Sequence, residues 1–400
     1  MIQVLQFFLS LSILVVLHEF GHYITARFFG CRVEKFYLFM DWPIALFKKK
    51  IGDTEFGIGC APLGGYVKIS GFVDESMDDT GIESEPEPWE LRAKPAWQRL
   101  IVMLGGIIVN IILAWVIYSM LVFSWGEKQI PISSFKDGFS FSEEGLLLGF
   151  KNGDILVSMD GEKLVNYDPG TIVSSILFEG VEEVVVIRNG YNTTIGIDSD
   201  LVNQAIKNLS QESGPLLSPN TPFLVGSFSK QSVAKKNGLQ LGDRIIAINS
   251  VETPYFNKKT RELLISFVGE KVTLTVERFD TNKELRNFNI SFIMPESGLM
   301  GANVILDEHA ETTYYSFFES FGVGLAKTKK TIKMYWSQVK TIFNPSTGAY
   351  KHVGGFISIG SMFPSSWSWY AFWSMTALLS VILAIMNLLP IPALDGGHAL

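Results

Sequence analysis

Three stretches of the chain stay apolar for as long as a bilayer is thick. They cover residues 2–28, 100–123 and 370–394, and about 20 helical residues suffice to cross the hydrocarbon. Each predicts a membrane-spanning helix in preference to a buried helix of a soluble core. Between the first two the pattern breaks up. Residues 54–68 (TEFGIGCAPLGGYVK) are Gly-rich and apolar, with Pro62 and Gly64-Gly65 in the middle. That pattern predicts a membrane-associated β-hairpin turning near 61–65. Residues 74–90 are acidic, contain Pro86 and Pro88, and predict a solvated loop.

Past the second span the pattern repeats. Gly149-Phe150-Lys151-Asn152-Gly153-Asp154-Ile155-Leu156 aligns with Gly238-Leu239-Gln240-Leu241-Gly242-Asp243-Arg244-Ile245, an offset of 89 residues that also aligns Met159-Asp160-Gly161 with Ile248-Asn249-Ser250. Period-two alternation follows each copy, at 183–188 and 272–277, and reads as half-buried strands. The repeat predicts two small domains, 127–220 and 221–308. Their shared core resembles PDZ domains, whose groove takes an extended peptide by adding it to a sheet edge. Next, Phe318, Phe321, Leu325, Ile332, Tyr335, Val339 and Phe343 recur at helical spacing among Lys327, Lys329, Lys330, Lys333 and Lys340. This predicts an amphipathic basic helix over 315–345, lying on the membrane surface or packed on the paired domains.

Composition agrees with spans plus soluble domains: 400 residues, 47% hydrophobic and 18% charged. The net charge of −7 argues against nucleic acid as a partner. Cys31 and Cys60 have no metal-type spacing, so a disulfide framework is not expected. The amino terminus lacks the basic region of a signal peptide. The basic residues set the sidedness. None precedes Arg27, whereas Arg27, Arg32, Lys35 and Lys48-Lys49-Lys50 follow the first span and Arg92, Lys94 and Arg99 precede the second. By the positive-inside rule residues 30–98 are cytoplasmic and residues 125–365 lie outside. The first span (1–29) and the late one (368–400) then end on the same side, with the second (99–124) between them. The predicted fold is a multi-span α-helical membrane protein with a membrane-associated hairpin and two tandem, mixed α+β PDZ-like domains outside the membrane.

The first span carries the chemistry. Glu19 is its only charged residue before Arg27, and it sits in His18-Glu19-Phe20-Gly21-His22. Two histidines four apart share a helix face, so both rings reach one metal ion, and the adjacent glutamate is placed to act on a water there. Such groups are expensive in lipid. Two ligands are too few for a catalytic zinc, which usually has three from the protein. The late span ends Asn387-Leu388-Leu389-Pro390-Ile391-Pro392-Ala393-Leu394-Asp395-Gly396-Gly397-His398. Asp395 is the next ionisable group at membrane depth on the cytoplasmic side and is the expected third ligand, with His398 the competing candidate. His309 and His352 read as ordinary surface or loop histidines.

These motifs together resemble the site-2 protease family of intramembrane zinc metalloproteases. Pro62-Leu63-Gly64-Gly65-Tyr66-Val67-Lys68 matches the family's Gly-Gly-Tyr hairpin, Gly105-Gly106 with Asn110 its second core span, and 354–359 (GGFISI) the segment before its late span. The resemblance implies Zn²⁺ on His18, His22 and Asp395, and Glu19 as general base. Asn387 is expected on the backbone of an unwound substrate, with Gly64, Gly65, Tyr66, Pro390 and Pro392 beside it. It further implies single-span membrane substrates, such as anti-sigma factors and signal-peptide remnants. The setting would be a bacterial inner membrane, with the PDZ-like domains periplasmic, where they bind peptides or exclude bulky substrates. Family members continue into a further membrane helix past the position of His398. Two other readings compete: a catalytically dead, membrane-tethered PDZ scaffold, and a metal or proton transporter.

Overall fold

The computed structural model describes residues 2–61, 64–72, 85–209, 215–279, 283–304, 310–352, 354–391 and 394–399. The acidic stretch 74–84, His309, Pro62 and Pro392 therefore lie outside the described residues. The chain divides into two compact units, one of residues 1–127, 313–339 and 353–400, the other of 128–312 and 340–352.

Three long apolar helices frame the first unit: α1 (Ile2–Phe28), α3 (Gly105–Trp125) and α5 (Trp369–Leu388). Two shorter helices, α2 (Ala96–Met103) and α6 (Asp395–Ala399), and the long α4 (Phe317–Phe343) as far as Val339 complete it. Gln6, Ser10, Leu14, His18, His22 and Ala26 are all buried on α1. Their spacing of four puts them on one face, while Val4, Leu5, Phe8 and Ile24 are exposed. That is the arrangement of a helix whose polar side faces protein and whose apolar side faces lipid. Small groups let the backbones meet. A Cβ on Gly21 would collide with the carbonyl of Gly105, so α1 and the start of α3 are in backbone contact. Polar pairs tie the helices together: the hydroxyls of Ser10 and Thr376 are 2.9 Å apart, and Ser380 donates to Asn110 O at 2.7 Å.

Between α1 and α2 lies a sheet of β1 (Val33–Leu38), β2 (Met40–Ile51), β3 (Thr54–Ala61) and β4 (Tyr66–Ile69), in the order β2-β3-β1-β4. This corrects the hairpin expected at 54–68. β3 and β4 do not pair with each other; β1 lies between them, parallel to β3 and antiparallel to β4. The local hairpin is β2–β3, turning at Gly52 with φ +62°. Glycines inside β3 serve the sheet. A Cβ on Gly57 would collide with the ring of Tyr37, and one on Gly59 with the backbone of Met40. These glycines admit neighbours across the sheet and do not make a turn. β4 is left as an edge strand.

α4 packs on α3 along one face. Its buried positions Ser320, Gly324 and Thr328 turn toward α3, where a Cβ on Gly324 would meet Ser119. Trp115 Nε1 donates to Phe321 O at 2.9 Å. Lys329 and Lys330 stay exposed. The helix is thus seated on the second span over most of its length, and near its end Ile342 packs on the apolar core around Phe139 and Leu156.

The second unit contains the repeat. Each copy has one four-stranded sheet of the same order. In the first it is Glu162–Lys163, Ile155–Met159, Glu183–Arg188, Tyr191–Gly196; in the second, Val251–Glu252, Arg244–Ile248, Lys271–Phe279, Leu285–Ile293. A separate two-stranded ladder closes each copy, Phe139–Phe141 with Leu217–Pro219 and Val225–Phe228 with Ala302–Val304. Helices Pro169–Phe178 and Lys258–Ser266 are capped by Asp168 and Asn257, 89 residues apart. Each copy has its own apolar core, around Phe139, Leu156 and Val184 in one and Phe223, Ile245 and Val272 in the other.

Both copies bury the same ion pair. Arg188 grips Asp154 through Nε at 2.8 Å and Nη2 at 2.7 Å, and Arg278 grips Asp243 at 2.6 Å through both. Each aspartate also accepts a backbone N–H at 2.8 Å, from Lys151 or Gln240. The same guanidinium donates to Gly149 O or Gly238 O. The carboxylates are almost fully buried, at 1% and 0% exposure, so removing one arginine strands a charge. Arg278→Met is expected to destabilise the second copy by about 2–3 kcal/mol, and Arg188→Met the first. Limited proteolysis of the full chain, with the cut sites mapped, checks that each variant opens its own copy.

Candidate metal centre

His18 and His22 occupy successive turns of α1, both buried. Their Nε2 atoms are 3.3 Å apart. Asp395, the first residue of α6, brings Oδ2 to 3.1 Å from His18 Nε2 and 3.4 Å from His22 Nε2. Three ligand atoms on a tetrahedral ion with bonds near 2.0–2.1 Å stand about 3.3 Å from one another. The observed triangle has that size.

The hydrogen bonds behind the triangle fix which nitrogen faces it. His22 Nδ1 lies 2.9 Å from Val102 O. A carbonyl only accepts, so Nδ1 carries the proton and Nε2 turns its lone pair inward. His18 Nδ1 lies 3.0 Å from the side-chain amide of Asn110. Asn110 is fully buried, and among the described residues its Oδ1 has no donor. Turning that amide over places Oδ1 on His18 Nδ1–H and gives His18 the tautomer of His22. Among the described residues Asp395 Oδ2 is likewise buried without a hydrogen-bond donor. Three acceptors then converge with no proton of their own, and this donor set fits a divalent cation such as zinc.

Small residues make room for this convergence. A Cβ on Gly106 would stand 2.5 Å from both His18 Nδ1 and His22 Nε2. A Cβ on Gly396 would stand 2.5 Å from Leu389 O and 2.6 Å from Leu388 O, so this glycine lets α6 fold back onto the end of α5 and return Asp395 to the histidines.

Glu19, half-buried, lines an open cleft with His22, Tyr66, Val67, Met103 and Asp395. Of the other expected residues, Gly65 abuts α1, with a Cβ there 3.2 Å from Glu19 Cγ. Tyr66 is buried and stacked on Tyr37 with ring centres 5.4 Å apart. Gly64, at φ +144°, turns the chain into β4. The Nδ2 of Asn387 is 3.1 Å from His18 Nε2. Pro390 is exposed and does not line the cleft. Pro392 and the side chain of His398 lie outside the described residues. The hydrogen-bonding part of Asn110 was not anticipated. Its signal was present: it is the one side-chain amide in the second span, and a buried amide there must have a partner.

The sequence pattern of peptidase family M50 matches residues 6–400. The chain belongs to peptidase family M50. It is accordingly a zinc metalloprotease of the site-2 protease kind. Among its relatives, a protein named as a zinc metalloprotease from Neisseria meningitidis is 28% identical, over 98% of this chain and 89% of its own length. The regulator of sigma E protease of Haemophilus influenzae and the protease RseP of Yersinia pestis are each 27% identical, over 98% of this chain and 88% of theirs. For this M50 chain, Gly106→Ala is expected to lower bound zinc at least tenfold, because the new methyl displaces both imidazoles. Metal content of the purified, folded variant checks this.

Proposed function

We propose that this peptidase hydrolyses peptide bonds within or beside the membrane-spanning segments of single-span membrane proteins. The observation that carries the reading is the triangle of His18, His22 and Asp395 with Glu19 at the adjoining cleft. In this reading His18, His22 and Asp395 hold the zinc. Bound there, zinc supplies Lewis-acid polarisation of a peptide carbonyl and activation of water. Glu19 takes the proton from the attacking water and delivers it to the leaving nitrogen, so the C–N bond breaks to give an acid and an amine. Asn110 and Val102 O hold the two imidazoles in the orientation this needs.

A helical substrate hides its carbonyls in its own hydrogen bonds and must unwind before it can be cut. The freed backbone then needs partners in a site with little water. The edge strand β4 offers them, since Tyr66 and Val67 stand at the cleft. Asn387 is close enough to His18 to bond the extended backbone. The repeat copies act as PDZ-like domains outside the membrane that exclude substrates with bulky outer parts. The sequence resemblance and the relatives named regulator of sigma E protease favour anti-sigma factors and signal-peptide remnants as substrates. They also favour a bacterial inner membrane, with the repeat periplasmic and the metal centre toward the cytoplasm. The competing inactive scaffold is disfavoured because the glutamate and all three candidate ligands are present.

Glu19→Gln is expected to cut cleavage of a single-span substrate in membranes by roughly 10²–10⁴-fold while zinc stays bound. Unchanged cleavage would sink the protease reading. Asp395→Ala is expected to lose most of the zinc, and full zinc content in that variant would remove Asp395 as a ligand.

A further inference from the structure

The end of the first span carries a feature that the metal centre does not use. α1 stops at Phe28, and Gly30 turns the chain with φ +69°. There Arg27, Arg32 and Trp89 line an open cleft in which Asp53 is the one acid among the described residues. Lys94 closes on the same turn, its Nζ 3.8 Å from the position of a Cβ on Gly30. Among the described residues Arg27, Arg32 and Lys94 form no ion pair. The wall is fixed by backbone: Arg32 N donates to Trp89 O, and Ser70 N to Arg32 O, each at 2.9 Å.

An apolar strip adjoins these cations. Phe28 is 81% exposed and Trp97 57% exposed. Phe29 bridges them, with ring centres 5.1 Å from Phe28 and 5.4 Å from Trp97. Aromatic rings at the end of a span sit at the membrane interface, and basic pockets at that level attract anionic headgroups. A soluble anion would meet the cations and leave the strip unused. A zwitterionic lipid would cover the strip and gain little from three unpaired cations. Asp53 adds a negative charge, which favours a singly charged phosphodiester over phosphate itself.

We propose that this cleft binds the phosphodiester headgroup of an anionic phospholipid, with its acyl chains against Phe28 and Trp97. Arg27 and Arg32 grip the phosphate oxygens, and Lys94 adds charge.

The test uses the full chain in phosphatidylcholine vesicles containing a few per cent of fluorescent phosphatidylglycerol, with retention at the protein read by energy transfer. The double variant R27Q/R32Q is expected to weaken retention on the order of tenfold, with zinc content unchanged. R27K/R32K is expected to restore most of it. Retention equal to the parent's in R27Q/R32Q would overturn the proposal. So would an equal loss in K48Q/K49Q, which removes the same charge elsewhere, or a failure of the lysine pair to restore binding. Displacement of the lipid by millimolar inorganic phosphate would make the ligand free phosphate and also overturn it.

Discussion

Lipid offers no hydrogen bonds, so an imidazole or carboxylate carried into a spanning helix has to find its partners in neighbouring helices. The first unit is arranged around that demand. The buried face of α1 carries Gln6, Ser10, His18 and His22. Each has a partner from another segment: Pro364 O, Thr376, Asn110 and Val102 O. The same bonds that satisfy the polar groups also hold the three helices in register. Packing and chemistry thus share one set of contacts. Substitutions on this face should disturb zinc and fold together, whereas those on the exposed face of Phe8 and Ile24 should disturb neither.

Close approach is the second requirement, and glycine meets it. Gly21 touches the backbone at Gly105, and Gly106 lies under both imidazoles. A larger residue at any of these positions would hold α3 away from α1, and Asn110 would no longer reach His18. The glycine in His18-Glu19-Phe20-Gly21-His22 therefore belongs to the helix contact. It sets the distance at which the histidines on either side of it meet their second-span partners.

Much of this was legible in the sequence because the signals are local. Long charge-free runs, the spacing of His18 and His22, and the 89-residue offset each need only neighbouring residues to be read. The failures were not local. Residues 54–61 and 66–69 are joined by a short Gly-Pro-rich link, so a hairpin is the natural reading. Only the insertion of β1 between them, 20 residues earlier in sequence at Lys35↔Glu55, shows that the two strands do not pair. The buried ion pairs of the repeat were hidden differently. At an offset of 89, Arg188 aligns with Glu277. In the folded copies the partner of Asp243 is Arg278, because Met159↔Val184 corresponds to Ile248↔Leu274 and the second copy has gained one residue before that strand. Asn110 was hidden because a single amide in a span does not say which of its neighbours it meets.

The late span shows why the third candidate ligand lies where helix cannot continue. An aspartate within α5 would project from a helix side into lipid or into a neighbour. Instead α5 ends at Leu388, Pro390 bars its continuation, and α6 starts at Asp395. Unwound backbone at this depth is tolerable only where its groups are paired. Short turns supply some of that pairing: Ile391 N donates to Leu389 O at 2.7 Å, Leu394 N to Ile391 O at 3.1 Å and Gly397 N to Leu394 O at 2.9 Å. Gly396 then lets the new helix fall back against the carbonyls of Leu388 and Leu389. The break, the turns and the glycine form one device that carries a carboxylate from the end of one span to the histidines of another.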